Sequence, residues 1–303
     1  MSPRIAAGVV ASALALSLAS SAGAHAADSY SRSVPLAQTA VDSSGYSALS
    51  GMPGVPAVLK AGFSKIKINK GKPVSVKPKA SAAVPYTFTV THDSTVNVHA
   101  DDFLTGIEIY TGSADKPKNP VASWTDPECE DATTTAYVCT GTIKVSPATD
   151  LDNAAAGRTW HAAVWAWVLN GQDPSSKNFK IGKTAYADHV GATAPTVLRH
   201  ATLTTDASPE RVKKGKNLTV SGTLKRANWN VGNYSGYAKQ KAQLQFRASG
   251  SSSYKTVKTV TTDKFGRLKT TVKAAKDGSW RYIFAGNATT SKATSSSDFV
   301  DVK

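Results

Sequence analysis

The chain contains little of what most enzymes use for chemistry. Its 303 residues include two cysteines, two methionines and six histidines. It has no HExxH, GxSxG, Walker-loop or GxGxxG motif, so the usual signatures of metalloproteases, α/β-hydrolases and nucleotide-binding enzymes are missing. It also has no RRM, KH or zinc-finger pattern, and no specific nucleic-acid partner is predicted.

Long apolar runs are confined to the N-terminus. Arg4, the apolar stretch "IAAGVVASALALSLASSAG" and the small-residue site "AHA" predict a secretory signal peptide over residues 1–27. An N-terminal membrane anchor is the alternative, but Ser and Gly dilute the stretch and a cleavage site ends it. No later segment is apolar enough to span a bilayer. We therefore expect a secreted, extracellular protein that is not an integral membrane protein.

The two cysteines lie close together in the predicted mature chain. In an oxidising compartment, Cys129 and Cys139 are expected to form a disulfide around the loop "CEDATTTAYVC". Such a bond contributes about 2–3 kcal/mol by the loop-entropy model. Two free thiols are the alternative.

Helical patterns are nearly absent, and short segments of period-two alternation recur between Gly, Pro, Asp and Ser residues. Examples are "YTFTVTH", "NLTVSGTL" and "SWRYIFAG". This spacing predicts an all-β fold of two tandem immunoglobulin-like β-sandwich domains. The Ser/Ala/Gly/Pro-rich residues 28–61 predict a flexible leader, the first sandwich spans 62–195, "GATAPT" (191–196) is the joint, and the second sandwich spans 198–303.

A weak internal repeat supports two copies of one sandwich. Three segments of the first half resemble three of the second half in the same order. The matches are "INKGKPVSV" (68–76) with "VKKGKNLTV" (212–220), "GTIKV" (141–145) with "GRLKT" (266–270), and "GRTWHAAVW" (157–165) with "GSWRYIF" (278–284).

Acidic residues are scarce in the second half. Residues 199–303 carry 20 basic and 6 acidic residues, whereas residues 28–198 carry 15 of each. A basic extracellular domain concentrates near polyanions, so an anionic cell-envelope polymer is the predicted partner. A solubilising lysine-rich surface is the alternative, and the alternating lysines of "KTVKTVTTDKFGRLKTTVK" would either share a sheet face or blunt sheet edges. The candidate polyanion-binding residues are Lys213, Lys214, Lys216, Lys225, Arg226 and Lys239.

Two segments gather polar residues that could support chemistry. "THDSTVNVHADD" brings His92, His99 and Asp102 into a candidate hydrolase site, against the simpler interpretation of a polar turn region. "DLDNAAAG" begins like an EF-hand loop, but Ala155 replaces the turn glycine and His161 the bidentate glutamate. No cofactor is predicted, and an interstrand calcium site, the alternative to ordinary Asx turns, has weak candidates in Asp101, Asp102, Asp150 and Asp152.

Three of the six tryptophans stand in "TWHAAVWAWVLNG" (159–171). Alternation places Trp160 on the core face, with Ala162, Val164, Ala166 and Val168 beside it. Trp165 and Trp167 then face the other way. There they form either an aromatic surface for a sugar or a protein, or a layer covered by the leader, a long loop or the second domain; we favour the cover.

Over residues 62–303, and most strongly over 199–303, the chain resembles a family of secreted actinobacterial tandem β-sandwich proteins, some labelled calcium-binding. The resemblance rests on "SPERVKKGK", "RANW", "LQFR", "YKTVKTV" and "WRYIFAG". It implies export, an immunoglobulin-like all-β fold and no established enzymatic activity, and it supplies no catalytic residues.

The leading hypothesis is a secreted, non-enzymatic binding or structural protein of the cell surface or extracellular matrix, whose second domain associates with anionic envelope polymers. Three alternatives stay open: a calcium-binding extracellular β-sandwich protein, an inhibitor or other module that binds an extracellular protein, and a hydrolase at His92, His99 and Asp102.

Overall fold

The computed structural model describes residues 56–114, 116–123 and 125–303. The predicted signal peptide and residues 28–55 of the predicted leader lie outside the described residues. The described chain is all-β, with short single-turn 3-10 helices at Asn69–Gly71, Ile181–Lys183 and Trp229–Val231. Within this part, no helix has the length and apolar character needed to cross a membrane.

The chain divides into two compact units. The first contains residues 56–74, Ala82–Val145 and Thr159–Thr196, and the second contains Ser75–Ser81, Ser146–Arg158 and Val197–Lys303. The main division therefore falls at the end of "GATAPT". The second unit also takes in two segments that precede this joint in the sequence.

The strands that precede Val197 are β1 (Ala57–Val58), β2 (Ala61–Ile68), β3 (Val74–Val76), β4 (Ala82–His92), β5 (Phe103–Ser113), β6 (Lys116–Ala122), β7 (Glu128–Thr133), β8 (Ala136–Val145), β9 (Trp160–Val168) and β10 (Ala185–Ala194). Two sheets form the first unit: a four-stranded sheet in the order β2-β4-β8-β7 and a five-stranded sheet in the order β1-β10-β9-β5-β6.

Period-two alternation builds the core of the first unit. On β4, Val84, Tyr86 and Phe88 are buried and the residues between them are exposed. On β9, Trp160 is 1% exposed, as the sequence predicted for the core face. Each such side chain contributes roughly 1.5–3 kcal/mol by leaving water.

The predicted disulfide is confirmed. Cys129 and Cys139 are directly opposed on the neighbouring strands β7 and β8, with their Cα atoms 4.0 Å apart. The bond therefore ties the edge strand β7 to the interior strand β8.

Two sheets also form the second unit. The strands from Val197 onward are β11 (Val197–Arg199, which pairs with β3), β12 (Ala201–Leu203), β13 (Asp206–Ser208), β14 (Arg211–Val212), β15 (Asn217–Asn228), β16 (Asn233–Gly236), β17 (Lys241–Ala248), β18 (Lys255–Thr261), β19 (Arg267–Lys273), β20 (Gly278–Phe284), β21 (Ala293–Thr294) and β22 (Asp298–Val302). In the first sheet β15 is central, with β12 and β13 on one side and β16 and β19 on the other. The second sheet has the order β14-β22-β20-β17-β18, with β21 paired to β20.

The core of the second unit lies between these two sheets. Leu218, Val220 and Leu224 of β15 pack in one cluster with Trp280 and Tyr282 of β20. The Tyr282 hydroxyl donates a buried hydrogen bond of 3.1 Å to the carbonyl of Val220, which links the two sheets. The predicted fold class, two immunoglobulin-like β-sandwiches, is confirmed.

Two of the three repeat matches fall on equivalent strands. "GTIKV" and "GRLKT" lie on β8 and β19, each paired with the long strand of its sheet, β4 or β15. Trp160 and Trp280 lie on β9 and β20, both interior and both core-facing. The Lys-Gly-Lys turns differ, because the first precedes β3, which pairs with β11, and the second precedes β15.

Candidate polyanion-binding surface

Three of the predicted lysines stand in the turn between β14 and β15. Two backbone hydrogen bonds of 2.7 Å fix this turn, from Lys214 N to the Lys303 carbonyl and from Gly215 N to the Ala274 carbonyl. Gly215 has a φ of 81°, which glycine adopts without strain. The turn therefore presents Lys213, Lys214 and Lys216 to solvent on a rigid backbone.

The outward face of β15 and β19 extends this cationic turn. Arg267, Lys269 and Lys273 alternate with buried residues along β19 and are all exposed. They stand opposite Thr223, Ser221 and Asn217 of β15 in the antiparallel register. These three cations are not among the six predicted residues, although the period-two spacing of "GRLKTTVK" indicates that they share one face.

Lys225 completes the same face. It is exposed, and it lies two residues beyond Thr223 on the outward side of β15. Lys225 lies nine positions after Lys216, which is about 30 Å along a strand. We name the whole set the basic strip: Lys213, Lys214, Lys216, Lys225, Arg267, Lys269 and Lys273.

Arg226 and Lys239 do not belong to the basic strip. Arg226 follows Lys225 on the strand and points to the opposite side, where its guanidinium carbon lies 4.0 Å from the ring centroid of Tyr237. Lys239 lies in the turn between β16 and β17, where its backbone N–H donates to the Thr262 carbonyl. The structure therefore places four of the six predicted residues on the basic strip and the other two outside it.

In the described part of the second half, most basic residues have no neighbouring carboxylate to compensate their charge. Asp277 and Asp298 accept backbone hydrogen bonds from Val302 and Ala207, at 2.7 and 2.6 Å. Asp301 lies within 4 Å of Arg211 and of Lys303. In the described ranges, no carboxylate lies within ion-pair distance of a basic-strip side chain.

A carboxylate in the turn before β19 also accepts hydrogen bonds from backbone groups. The Asp263 carboxylate accepts hydrogen bonds from the backbone N–H groups of Arg267 and Phe265, both at 2.8 Å. The hydrogen bond from Arg267 is the main cause that holds the pKa of Asp263 below its usual value. This carboxylate therefore shapes the β18–β19 turn.

The lysines of β18 lie on the edge strand of the other sheet of the second unit. Lys255 and Lys258 stand opposite Phe246 and Leu244 of β17, on the core-facing side of the strand at the edge of its sheet. Charges that point inward on an edge strand oppose pairing with another chain. Lys255 and Lys258 thus lie exposed on an edge strand, whereas Arg267, Lys269 and Lys273 share one face of β19.

The predicted hydrolase residues are only partly brought together. His92 and His99 line one cavity of about 290 Å³, which Asp131 also lines. His99 Nε2 lies 3.1 Å from Asp131 Oδ2 on an exposed surface. Asp102 is not among the lining residues, and its carboxylate accepts a hydrogen bond of 3.0 Å from the backbone N–H of Gly171.

The calcium candidates are divided between the two units. Asp101 and Asp102 belong to the first unit, and Asp150 and Asp152 to the second. Asp152 accepts from the backbone N–H groups of Ala154 and Ala155, as in an Asx turn, and Asp150 accepts from that of Ser146, four residues earlier. Across the described ranges, no group of three His, Cys, Asp or Glu residues is placed to hold a metal ion.

The aromatic-surface alternative for Trp165 and Trp167 is wrong, because both indoles are covered. Their exposures are 7% and 4%, and they pack with Leu169 and Tyr186. Phe179 lies edge-on to Trp167 at 6.0 Å between ring centroids. Trp167 Nε1 also donates a hydrogen bond of 2.8 Å to the Thr184 hydroxyl. The long segment between β9 and β10, one of the three covers that the sequence suggested, therefore covers Trp167 and packs against the cluster that contains Trp165.

No protein-family model matches the chain, and no curated protein matches it. Among solved structures, the chain is similar to the adhesin InvE of Yersinia pseudotuberculosis, with 12% identity and a TM-score of 0.25 over 80% of this chain and 58% of that one. It is also similar to the three N-terminal domains of the outer capsid protein Hoc of bacteriophage RB49, with 11% identity and a TM-score of 0.27 over 80% and 70%. The ectodomain of mouse nectin-like molecule 4 gives 11% identity and a TM-score of 0.22 over 80% and 64%.

The chain thus spans less than two thirds of the length of the adhesin and of the nectin-like ectodomain. At these values the likeness assigns no function to it.

Proposed function

We propose that this protein is a secreted, non-enzymatic binding protein of the cell surface or extracellular matrix, and that its second unit associates with anionic envelope polymers through the basic strip. The observation that carries the proposal is the alignment of seven cations along one sheet face and its adjoining turn, without a carboxylate in ion-pair distance in the described chain.

The form of the strip suits a polymer. Its cations are held on strands and on a hydrogen-bonded turn, and they extend over about 30 Å. Neighbouring outward residues on one strand repeat every 6–7 Å or so, which suits a chain with regularly spaced anionic groups. Thr219 and Thr223 lie beside the cations on β15 and provide hydroxyl groups for hydrogen bonds to such a chain, whereas the Ser221 hydroxyl already donates to Asp206 Oδ2 at 3.3 Å.

The predicted export signal, the disulfide and the resemblance to secreted actinobacterial tandem β-sandwich proteins support the extracellular location in this proposal. A disulfide persists in an oxidising compartment, where teichoic-type polymers and acidic polysaccharides are the polyanions available.

The experiment is a sedimentation assay of residues 28–303 with purified, anionic cell-wall polymer at low and rising salt. The wild type is expected to bind at low salt and to be released as salt screens the charges. Replacing Lys213, Lys216, Lys269 and Lys273 by Gln is expected to weaken binding by about tenfold or more, since the attraction depends on local cation density.

The matched control replaces four exposed lysines outside the strip, Lys241, Lys264, Lys276 and Lys292, by Gln. This variant has the same net charge and is expected to keep most of the binding. Equal losses in both variants would show that net charge acts without the strip. No binding by the wild type at low salt would overturn the proposed function itself.

A further inference from the structure

The second unit buries an arginine that has no carboxylate beside it in the described part of the chain. Arg199 is 7% exposed, and its Nε donates a hydrogen bond of 2.5 Å to the carbonyl of Ala227. In the described part of the chain, no Asp or Glu side chain lies within ion-pair distance of it. A buried guanidinium is costly unless an anion or several acceptors compensate it.

A second arginine lies next to the first. Arg226 immediately precedes Ala227 on β15, and its guanidinium stacks on Tyr237 at 4.0 Å from the ring centroid. Burial is the main cause that lowers the pKa of Arg199 to about 10, and the charge of Arg226 is the second cause. Arg199 therefore keeps its positive charge at neutral pH, and the charge of Arg226 bears on it unfavourably.

The group facing these arginines is also surrounded by donors. Asn287 Nδ2 donates a hydrogen bond of 2.7 Å to the Tyr237 hydroxyl. Burial alone raises the pKa of Tyr237, but hydrogen bonds from Asn287, Thr290 and Thr289, together with the charge of Arg226, bring it below its usual value. The location is therefore rich in positive potential and in hydrogen-bond donors.

We propose that Arg199, Arg226 and Tyr237 form a discrete site for one tetrahedral oxyanion, a sulfate or phosphate group. A guanidinium presents a planar fork of N–H donors that matches the oxygens of such a group, and the resulting bonds are among the strongest hydrogen bonds in proteins. A bound anion would also compensate the unfavourable effect of the Arg226 charge on Arg199. The inference rests on the proposed function and deepens it, because it assigns a class of anionic group to a defined site apart from the basic strip.

The position of Arg226 separates this site from the strip. Arg226 and Lys225 are neighbours on β15 with side chains on opposite sides of the sheet. Lys225 is exposed on the strip, whereas Arg226 is half-buried against Tyr237. The chain thus provides two substitutions that remove the same charge from adjacent positions.

The experiment is calorimetric titration of residues 28–303 with inorganic sulfate, with inorganic phosphate and with a chloride control of equal ionic strength. The wild type and Lys225→Gln are expected to bind both oxyanions saturably with the same affinity. Arg226→Gln is expected to bind at least about tenfold more weakly, the loss typical of a charged hydrogen-bonding partner. Arg199→Lys keeps the charge but loses the planar fork, and it is expected to weaken binding as well.

Cooperative thermal unfolding of each variant identifies those that fold. The site is wrong if the wild type shows no saturable binding of either oxyanion, or if the folded arginine variants bind as tightly as Lys225→Gln. If Arg226→Gln does not fold, Arg199→Lys decides by the same comparison.

The polymer assay with Arg226→Gln then distinguishes a free ion from a polymer-borne group as the ligand. Weaker polymer binding identifies the polymer's phosphate or sulfate groups, and unchanged binding restricts the site to the free ion. If the wild type binds the polymer but neither inorganic oxyanion, this site is wrong and the proposed function stands. If the wild type binds the inorganic oxyanions but not the polymer, the proposed function is wrong and the site stands.

Discussion

The indole of Trp165 lies across the backbone of Gly106 on the neighbouring strand. The two residues are direct cross-strand partners on β9 and β5. A methyl group built on Gly106 would come within 2.7 Å of Trp165 Cζ2 and within 3.0 Å of Cε2. The missing side chain therefore gives a large ring room to lie flat on the sheet, where it packs in one cluster with Trp167, Leu169 and Tyr186.

Replacing Gly106 by Ala is expected to displace this ring. The clash involves a rigid indole covered on its outer side, so we expect a loss of about 1–3 kcal/mol in the free energy of unfolding, as for overpacked cores. Urea denaturation measures the loss, and a red-shifted tryptophan emission reports the exposed ring. In a Trp165→Phe background the same substitution should cost less, and equal costs in both backgrounds would contradict the contact.

The sequence predicted the faces of β9 but not the identity of the cover. Alternation alone places Trp160 inside and Trp165 and Trp167 outside, and the structure shows this arrangement. The cover comes from a segment without sheet periodicity, "NGQDPSSKNFKIGKT", in which Phe179 is the single aromatic residue. Its docking depends on a tertiary contact with Trp167 that no local pattern encodes.

Glu108 predicts a pH-dependent stability. Its carboxyl is 8% exposed on β5, and burial raises its pKa to about 7 from 4.5. Between pH 4.5 and 7 the folded state binds more protons than the unfolded state, so stability falls as pH rises and then levels off above about pH 7. The whole effect amounts to at most about 3 kcal/mol.

The isosteric variant Glu108→Gln removes the ionisable group and keeps the shape. It is expected to lose this part of the pH dependence and to exceed the wild type in stability above pH 7. Free energies of unfolding measured from pH 4 to 8 provide the comparison. Parallel profiles for the two proteins would show that Glu108 keeps an ordinary pKa.

Charge composition indicated the basic unit but could not arrange its cations. Lys225 and Arg226 are equivalent in a charge count, yet they point to opposite sides of β15. Arg199 follows the predicted joint and carries no burial signal in the sequence; its burial arises from contacts with Ala227 and Thr289, distant in sequence. Alternation alone predicts which side chains of β19 point outward. Its pairing with β15 is not predictable in this way, because it depends on contacts between residues far apart in the sequence.

The disulfide is expected to stabilise the first unit by about 2–3 kcal/mol, because it closes a short loop of sequence separation 10 between paired strands. Replacing both Cys129 and Cys139 by Ala should lower the free energy of unfolding by about this amount. Reductant should destabilise the wild type and leave the double variant unchanged. A wild type insensitive to complete reduction would contradict a stabilising role.

Lys255 and Lys258 are expected to protect an edge strand rather than to stabilise the fold. They stand on the core-facing side of β18, at the end of its sheet, opposite Phe246 and Leu244. Replacing both by Thr removes the inward charges and raises β-propensity, so we expect concentration-dependent association through β18 with a change in unfolding free energy within about 0.5 kcal/mol. Light scattering after size-exclusion chromatography at increasing protein concentration measures this. The charge-matched control Lys213→Thr with Lys214→Thr alters a turn instead of an edge and should stay unassociated, and association of both variants alike would mean that reduced net charge causes it.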